Sequence, residues 1–522
     1  PAIQRHLAWE KRLFRRPFGA DKLPLYEAYA QIWASDDIGY NGGGVAYASA
    51  YNLFHNRQAA RIARALGEDA APYEAEAEAI GRSMRVHLWL PERGQFAEYR
   101  DWLGEQAAHP AAGLWSFYHV LDSGVPDRQE AWRMADAISR TVPLLPVEGP
   151  GVPGDRRHGV YASSNWMPYS WSVNNVVMGE NLHTALGLWQ AGRAEEAYTL
   201  TRSALLASMF MGISPGNVGS MNYLDVYRRE AQRDFADGSG VMARTMVEGL
   251  FGIQPDALAR TLTVQPGLPA AWDQAELHHP DISLSFRREG AEDRWSVRQS
   301  GDRFARLHLR LPARRDRIAE VTVAGQPVDW QVDDNAVGVP AILIDAPLGA
   351  DAEVVVHWAG DAIAGGNDTG SRFARRAQGD MRWWAPVNGA VEEPVIPTLV
   401  DAAPTGPQRA IDLAPFFNDA VTAIFQPGKY VSPRSPFASL ALPSQGLGAW
   451  AGHVNATATI DDAGLRQGVQ AGDGWFTLPD GGRFALPATG DNALFVSKWD
   501  NYPDEVTLPL SGSGRFLRLL MA

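Results

Sequence analysis

The 522-residue chain is predicted to be a multidomain protein, with an α/α toroid first and antiparallel β-sandwich domains after it. Apolar residues recur at helical spacing before residue 255 and alternate with period two after Pro255. The predicted helices come in pairs, one apolar on almost every side and one amphipathic. A helix that is apolar all round is buried and an amphipathic one covers it, which is the alternation of inner and outer helices that a toroid needs.

The toroid is expected over residues 1–255. Paired helices are predicted at 42–69 and 71–90, 109–124 and 127–142, 172–193 and 194–212, and 222–235 and 238–253, with two more helices at 3–15 and 24–34. A closed (α/α)6 barrel would need further helices before Pro1. Because the chain does not begin with Met, Pro1 is interpreted as an internal cut, and a preceding segment of the same polypeptide is expected.

The β-rich part is expected to form two domains. Short alternating runs such as "DISLSFRRE", "RWSVRQS" and "AEVVVHWAG" predict a β-sandwich over 256–362. A polar, Gly-rich linker is expected over 363–380. A second β-rich accessory domain is expected over 381–522, with strands at "RFALP", "NALFVSKW", "EVTLPL" and "GRFLRLLMA".

Composition excludes several classes of function. The net charge is −13, and the sequence has no basic cluster, which argues against a nucleic-acid partner. There is no cysteine, so disulfide scaffolds and thiolate metal sites are excluded. No run of about 18 uncharged apolar residues occurs, so no membrane span is expected. The 12 histidines are scattered without metal-binding spacing, and neither a metal nor another cofactor is expected.

Glu180 is the strongest catalytic candidate. It lies on a predicted helix that is otherwise apolar, so its carboxyl should be buried. A buried carboxylate must be paired or its proton affinity rises, and a raised affinity is what a general acid needs. The alternative is a structural ion pair with Arg228 or Arg244.

Four aspartates precede predicted inner helices. Asp36 and Asp37 come before the first of these, and Asp234 and Asp237 come before the last. Inner helices of a toroid point one set of ends into a common cavity, so these carboxylates can converge on Glu180. The alternative is that they cap the following helices or form local ion pairs.

Substrate binding is predicted at the same joints. Flat aromatic side chains and amides suit the apolar faces and hydroxyl groups of sugars, although aromatic clusters also pin long loops to a core. The candidate residues are Trp33, Asn41, Glu98, Asp101, His109, Trp166, Tyr169, Trp171, Asn174, Asn175 and Arg228.

Two segments carry a resemblance to a known group of enzymes. "PYSWSVNNVVMGENLHTALGLWQAGRAEEA" and "DFADGSGVMARTMVEGLFGIQPDALARTLTVQPGLPAAW" resemble (α/α)6-barrel glycoside hydrolases of bacterial polysaccharide-degradation systems, and more distantly α-L-rhamnosidases and glycoside phosphorylases. The similarity covers about residues 25–290. It implies cleavage of plant or bacterial oligo- or polysaccharides by two carboxylates, with inversion the expected outcome. It also implies a periplasmic or secreted protein.

Two other functions stay open at this point. A polysaccharide lyase acting on uronic-acid polymers would use a Tyr or His base and residues that neutralise the uronate carboxylate. The residues that could supply that set are Tyr169, Asn174, Asn175, His183 and Arg228. A non-catalytic glycan-binding protein would keep the aromatic residues without converging acids.

Overall fold

A computed structural model describes most of the chain. It covers residues 2–29, 40–104, 106–147, 157–165, 176–210, 223–225, 230–232, 237–364, 370, 372–387, 408–422, 461–479, 481–496, 503, 505–512 and 517–520. The side chains of residues 29, 40–42, 209–210, 223–225, 230–232 and 237 are not among those described. The chain divides into two units, Pro1–Leu224 with Ala231–Pro394, and Asp225–Glu230 with Val395–Ala522.

Helices dominate the first 250 residues, as predicted. They are α1 (Ala2–Phe14), α2 (Ala46–Ala65), α3 (Ala71–His87), α4 (Leu114–Asp122), α5 (Arg128–Thr141), α6 (Met178–Gln190), α7 (Ala194–Phe210) and α8 (Asp237–Arg244), which continues into a π-helical turn (Thr245–Leu250). The even-numbered helices pack on one another in the order α2, α4, α6 and α8, and α3, α5 and α7 pack on α2, α4 and α6. This is the alternation of two helical layers that the apolar patterns predicted.

Helices α2 and α4 run parallel. The rings of Tyr51 in α2 and His119 in α4 have centroids 4.3 Å apart. Further along both helices, the Arg57 guanidinium donates to the carbonyl of Ser123, which follows α4, at 3.4 Å. Because the later residue of α2 contacts the later residue of α4, the two helices run in the same direction and begin on the same side.

Helix α6 runs in the same direction as α4. The rings of Tyr118 and His183 lie 4.7 Å apart, and further along the Gln190 amide donates to Asp122 at 3.1 Å. Asp122 follows Tyr118 in α4 and Gln190 follows His183 in α6, so the two helices run in the same direction. The starts of α2, α4 and α6 therefore lie on one side of this layer.

Helix α8 and its π-helical turn pack along α6 in the same sense. The hydroxyl of Thr245 donates to the carbonyl of Leu182 at 3.1 Å, and Gly249 lies directly against the Trp189 ring. Trp189 donates in turn to the carbonyl of Gly267 at 2.9 Å. The indole therefore joins the helical layer to the chain that leads into the β-sandwich.

A small antiparallel sheet precedes and interrupts the helices. Its strands, in spatial order, are β1 (Arg15–Phe18), β2 (Leu23–Tyr29), β3 (Tyr40–Val45), β6 (Tyr99–Asp101) and β7 (Ala108–His109). Between β3 and β6 in sequence, β4 (Trp89–Leu90) pairs with β5 (Gln95–Phe96).

The helix predicted at 24–34 is therefore wrong over its described part. Leu23–Tyr29 pairs with β1 and β3, and this tertiary pairing overrides the local helical pattern. The helix predicted at 222–235 is also wrong where it is described, because β11 (Tyr223–Asp225) and β12 (Glu230–Gln232) are strands. The other short strands of this region are β8 (Leu144–Pro146), β9 (Gly159–Tyr161) and β10 (Val176–Val177).

Two larger sheets follow residue 252. One contains β13 (Ile253–Asp256), β14 (Thr261–Val264), β18 (Arg306–Pro312), β22 (Ala341–Pro347) and β21 (Trp330–Val332), and the other contains β15 (Gln274–His278), β16 (Ile282–Glu289), β17 (Glu292–Gln299), β23 (Asp351–Ala362), β19 (Arg315–Val323) and β20 (Gln326–Pro327). Among the described strands of these two sheets, neighbouring strands are antiparallel except for β14 and β18, which are parallel. Buried and exposed residues alternate along β16, β17 and β18, so each sheet buries one face.

A hairpin of β24 (Arg372–Gln378) and β25 (Met381–Val387) follows. Strand β24 lies within the stretch 363–380 that was expected to be a linker. In the second unit, the described elements are a 3₁₀ turn (Ala414–Phe416), α9 (Ala463–Ala471), β26 (Trp475–Thr477) and β27 (Arg483–Ala485). The strand predicted at "RFALP" is present as β27.

The helix α9 was not expected in this β-rich region, and the strand predicted at "EVTLPL" is wrong within its described residues, 505–510. Ala493, in "NALFVSKW", forms only an isolated bridge with Asp419. The structure thus has a helical region followed by antiparallel sheets, while closure of the helices into a toroid stays a prediction. Within the described residues, no helix has the length and apolarity to cross a membrane.

Asp333 connects the β-sandwich to the helical layer through two ion pairs. Its carboxyl is 6% exposed and binds Arg310 of β18 at 2.7 Å as well as Arg128 of α5. Burial opposes ionisation, but hydrogen bonds and charge from the two guanidinium groups outweigh it and hold the pKa of Asp333 below its ordinary value. One buried carboxylate therefore pairs with two arginines from different elements.

We expect Asp333→Asn to destabilise the first unit by about 3–5 kcal/mol, because it leaves two arginines without their counter-charge. The neighbouring Asp334 is the matched control, since its side chain is 62% exposed and pairs with Arg375 and Arg382. Asp334→Asn should cost less than about 1 kcal/mol. Urea unfolding monitored by tryptophan fluorescence measures both values. Equal losses in the two variants would contradict the assignment.

Candidate active site

The parallel starts of α2, α4, α6 and α8 define one end of the helical layer. This is where the sequence placed the candidate acids and aromatic residues. Ten of these candidates lie outside the described residues: Trp33, Asp36, Asp37, Trp166, Tyr169, Trp171, Asn174, Asn175, Arg228 and Asp234. Asn41 and Asp237 are described in backbone only, in β3 and at the start of α8. Glu98, Asp101, His109 and Glu180 are described in full.

Glu180 lies in the first turn of α6 and is 2% exposed. The adjacent Asn181 fixes this turn: its amide donates to the carbonyls of Val177 and Tyr161 at 3.0 and 2.9 Å, and its oxygen accepts from the Tyr161 N–H at 2.7 Å. The burial predicted for Glu180 is therefore present. Its carboxyl is held on a rigid helical turn at the common end of the four helices.

Arg244 was one of two arginines considered as a structural partner for Glu180. Its guanidinium instead binds Asp122 at 2.6 Å and Glu248 at 3.0 Å. The other arginine, Arg228, lies outside the described residues.

Glu98 connects the starts of two helices. Its carboxyl accepts from the Gly113 N–H at 2.8 Å and from the Ser116 hydroxyl at 2.5 Å, both at the start of α4. Its carbonyl accepts from the N–H of Ala46, the first residue of α2, at 2.9 Å. Its own N–H donates to the carbonyl of His109 at 2.9 Å. The residue predicted to bind substrate is thus an anchor for α2 and α4.

The carboxyl of Glu98 is 2% exposed, and its electrostatic state follows from that burial. Desolvation raises its pKa to about 8, although hydrogen bonds from Ser116, Gly113 and Trp115 oppose the rise. Burial and the charge of Glu98 also raise the pKa of Tyr47 above its ordinary value. At neutral pH the Glu98 carboxyl is therefore mainly protonated.

Asp101 and His109 form a pair on β6 and β7. The His109 Nε2 lies 3.0 Å from the Asp101 carboxylate, and about a third of each side chain is exposed. The His109 ring stacks on Tyr99, with centroids 4.0 Å apart and planes 12° apart. The structure therefore brings three predicted residues together: Asp101 and His109 lie on neighbouring strands and reach solvent, and Glu98 lies buried in the bend just before β6.

A layer of rings lies deeper among the even-numbered helices, and we call it the histidine–tyrosine layer. It consists of Tyr47, Tyr51, Tyr118, His119 and His183. Within it the ring of His119 lies 4.3 Å from those of Tyr51 and Tyr118, 5.8 Å from that of Tyr47 and 6.2 Å from that of His183. A helical layer of this kind usually meets through aliphatic side chains, so the aromatic and imidazole content is a distinguishing feature.

An ion-pair network lies beside this layer. Arg244 binds both Asp122 and Glu248, and Asp122 also accepts from Gln190. Burial opposes ionisation of Asp122, but hydrogen bonds and charge from Arg244 outweigh it and keep its pKa low. The π-helical turn Thr245–Leu250 follows Arg244 directly. Such turns are frequent at functional sites.

Both histidines of the layer are neutral at pH 7. Burial, followed by the neighbouring His183, lowers the pKa of His119 to about 3. Burial, followed by Arg244, lowers the pKa of His183 to about 4. Neutral imidazoles both donate and accept hydrogen bonds. This layer can therefore pair with hydroxyl groups without contributing charge.

A cavity of about 10 Å³ lies against Glu98, Gln95 and Ser116. This is room for about one water molecule and is too small for a sugar. Among the described residues, no group of three or more His, Asp or Glu side chains is arranged to hold a metal ion.

Sequence reasoning left most of the ring layer out of the predicted site. It weighed His183 only for a lyase, and Arg244 only as a partner of Glu180. A signal was present, however: Tyr47, Tyr51 and His55 recur every four residues on α2, which places them on one helical face. The layer itself forms only where three separate helices, α2, α4 and α6, meet.

Comparison with solved structures finds glycoside hydrolases. An α-L-rhamnosidase of Streptomyces avermitilis complexed with L-rhamnose matches with 14% identity and a TM-score of 0.38, over 68% of this chain and 30% of that one. An α-L-rhamnosidase of Dictyoglumus thermophilum matches with 10% identity and a TM-score of 0.38, over 60% of this chain and 32% of that one. The GH63 mannosylglycerate hydrolase of Thermus thermophilus matches with 18% identity and a TM-score of 0.28, over 39% of this chain and 46% of that one.

The chain thus spans about a third of the length of the two rhamnosidases. These neighbours are of the kind that the sequence motifs resemble. No protein-family model and no curated protein sequence matches the chain.

Glu98→Gln should change how stability depends on pH. The folded carboxyl loses its proton near pH 8, whereas an unperturbed one does so near 4.5. Between these values the folded state binds more protons than the unfolded state, so Glu98 makes stability fall as pH rises through this window. Glutamine imitates the protonated carboxyl, with an oxygen for the Gly113 N–H and an NH₂ group for the Ser116 hydroxyl. We therefore expect the variant to fold and its free energy of unfolding to lose the pH dependence that Glu98 causes.

Urea unfolding at pH 5, 6, 7 and 8 measures the effect. The difference in stability between the wild type and Glu98→Gln should shift steadily in favour of the variant as pH rises. A constant difference across the series would show that Glu98 is ionised throughout.

Proposed function

We propose that the protein is a glycoside hydrolase whose site lies at the common end of α2, α4, α6 and α8. The observation that carries the proposal is the buried Glu180 carboxyl, held in the first turn of α6 at that end. The helices are proposed to be part of an (α/α)6 barrel, and an oligo- or polysaccharide is the proposed substrate. A periplasmic or secreted location goes with this proposal.

The parallel direction of the helices supports a second carboxylate near Glu180. The chain enters α2 after Asp36 and Asp37, and it enters α8 at Asp237, three residues after Asp234. Because the described starts of these helices lie on the same side as that of α6, acids that precede them are proposed to face Glu180. Asp37 and Asp234 are the first two to test.

In the proposed reaction, one carboxyl group donates a proton to the glycosidic oxygen as the bond from that oxygen to the anomeric carbon breaks. The second carboxylate removes a proton from water, whose oxygen forms the new bond on the opposite face of the ring. This inverting arrangement needs roughly 6.5–9.5 Å between the two carboxyls, which leaves room for the water. Glu180 is proposed as one member of the pair.

Glu180→Gln should lower kcat by about 10²–10⁴-fold, because removal of a general acid or base has that effect, while the fold is kept. A panel of nitrophenyl glycosides and of natural oligosaccharides, with reducing-sugar detection, supplies the substrate. Activity equal to that of the wild type in a well-folded variant would refute the assignment.

Glu76 provides a matched control, because it is also a buried helical glutamate. It is 7% exposed and binds Lys11 at 2.8 Å, Arg15 at 2.7 Å and the Tyr26 hydroxyl at 3.1 Å. Glu76→Gln should lower the melting temperature and leave kcat nearly unchanged. If Glu180→Gln behaves in the same way, Glu180 is structural.

The stereochemistry gives an independent test. Proton NMR of the first product formed from a single-anomer substrate should show the opposite anomer before mutarotation. Retention would instead indicate carboxyls about 5–5.5 Å apart. Unsaturated products that absorb in the ultraviolet would identify a lyase and contradict hydrolysis. Binding of glycans without turnover would identify a non-catalytic protein.

A further inference from the structure

His119 is buried in a way that calls for a binding partner. Its side chain is 3% exposed, and within the described part of the chain neither ring nitrogen has a hydrogen-bond partner. A neutral imidazole carries one N–H donor and one acceptor, and buried groups of this kind are normally paired. Leaving each one unpaired costs about 1–3 kcal/mol.

The surroundings of His119 fit a sugar ring. Tyr51, Tyr118 and Tyr47 place aromatic rings 4.3, 4.3 and 5.8 Å from it, measured between centroids. Aromatic faces pack against the C–H groups of a sugar, while a few polar atoms fix its hydroxyls. Tyr51 and His183 are only partly buried, so these two rings of the layer reach solvent, while Tyr118 and His119 lie beneath the surface.

Glu180 and His183 lie three residues apart on α6, so they are neighbours on one helical face. The rise between them, less than one helical turn of about 5.4 Å, is comparable with the width of a sugar ring. A ring whose hydroxyls meet the histidine–tyrosine layer would therefore hold its anomeric end beside Glu180. The layer thus has the position of a floor beneath the proposed catalytic group.

The charge around this floor disfavours an acidic sugar. Both histidines are uncharged at pH 7, since burial keeps their pKa values far below neutrality. Arg244 is shared between two carboxylates, those of Asp122 and Glu248. Counting this arginine and the two acids gives a net charge of −1. A uronate carboxylate would meet repulsion there without a free cation among the described residues.

We propose that the histidine–tyrosine layer is the floor of the substrate site, where His119 hydrogen-bonds a hydroxyl of a neutral sugar ring and where uronates are rejected. This inference rests on the proposed glycoside hydrolase function and names the class of sugar that the site accepts. His119 binds the sugar without taking part in bond cleavage. The alternative is that His119 directs its N–H at a tyrosine ring and touches no ligand.

Isothermal titration calorimetry on the full chain tests the proposal. The probes are D-glucose, D-mannose and L-rhamnose on one side, and D-glucuronate and D-galacturonate on the other. At least one neutral sugar should bind the wild type at least about tenfold more tightly than either uronate. His119→Phe should weaken that binding by about tenfold or more, equivalent to about 1.4 kcal/mol. His119→Gln keeps a donor and an acceptor and should restore part of the affinity.

His55→Phe is the matched control. His55 is an exposed residue on the same face of α2 as Tyr51, and its ring stacks on that tyrosine at 5.9 Å. Its replacement should leave affinity within about twofold, which corresponds to less than about 0.5 kcal/mol at about 1.4 kcal/mol per tenfold. His119→Phe should melt no lower than the wild type, because phenylalanine keeps the ring volume and removes two polar atoms that are buried without a described partner.

Three outcomes overturn the proposal: unchanged affinity in His119→Phe, equal binding of uronates, or binding of none of the neutral sugars. These outcomes are distinct from failure of the hydrolase proposal. Neutral-sugar binding that depends on His119, without cleavage of any glycoside, would reject hydrolysis and keep this site. Cleavage by His119→Phe at the wild-type rate would keep the hydrolase proposal and reject this site.

Discussion

The hydrogen bonds of Glu98 are the constraint on which the rest of the candidate site depends. Its backbone holds the first residue of α2 and the strand that carries His109, and its side chain holds the start of α4. Starting N–H groups of a helix have no partner within the helix, so a buried start needs an outside acceptor. Glu98 supplies that acceptor although it is fully buried. Its carboxyl is mainly protonated, and burial of a neutral carboxyl costs far less free energy than burial of a charged one.

Once the helix starts are fixed, the faces of the helices determine what meets inside. Tyr51, His119 and His183 come from three helices, and the rings of Tyr51 and His183 both lie near that of His119 because α2, α4 and α6 run in the same direction. Glu180 precedes His183 on the same face, and Asp122 follows His119. A carboxyl, a layer of neutral rings and an ion-pair network therefore succeed one another along the helices.

The β-sandwich holds the helical layer from its other end. Trp189 at the end of α6 donates to Gly267, and it packs on Gly249, where a larger side chain would collide with the indole. Asp333 adds a buried charge contact to α5. Helix α6, which carries Glu180, is therefore held by Asn181 at its start and by Trp189 near its end.

The sequence by itself determined the change from helices to strands near residue 255, the pairing of most helices and the burial of Glu180, because these follow from local periodicity. It misassigned residues 24–29, since strand pairing there is decided by β1 and β3, which lie elsewhere in the chain. It could not find the anchoring role of Glu98, nor the ring nitrogens of His119 that stay without a partner among the described residues. Both depend on which segments surround a side chain after folding, and solvation, charge and hydrogen bonding at such a point are set by tertiary contacts that no local pattern encodes.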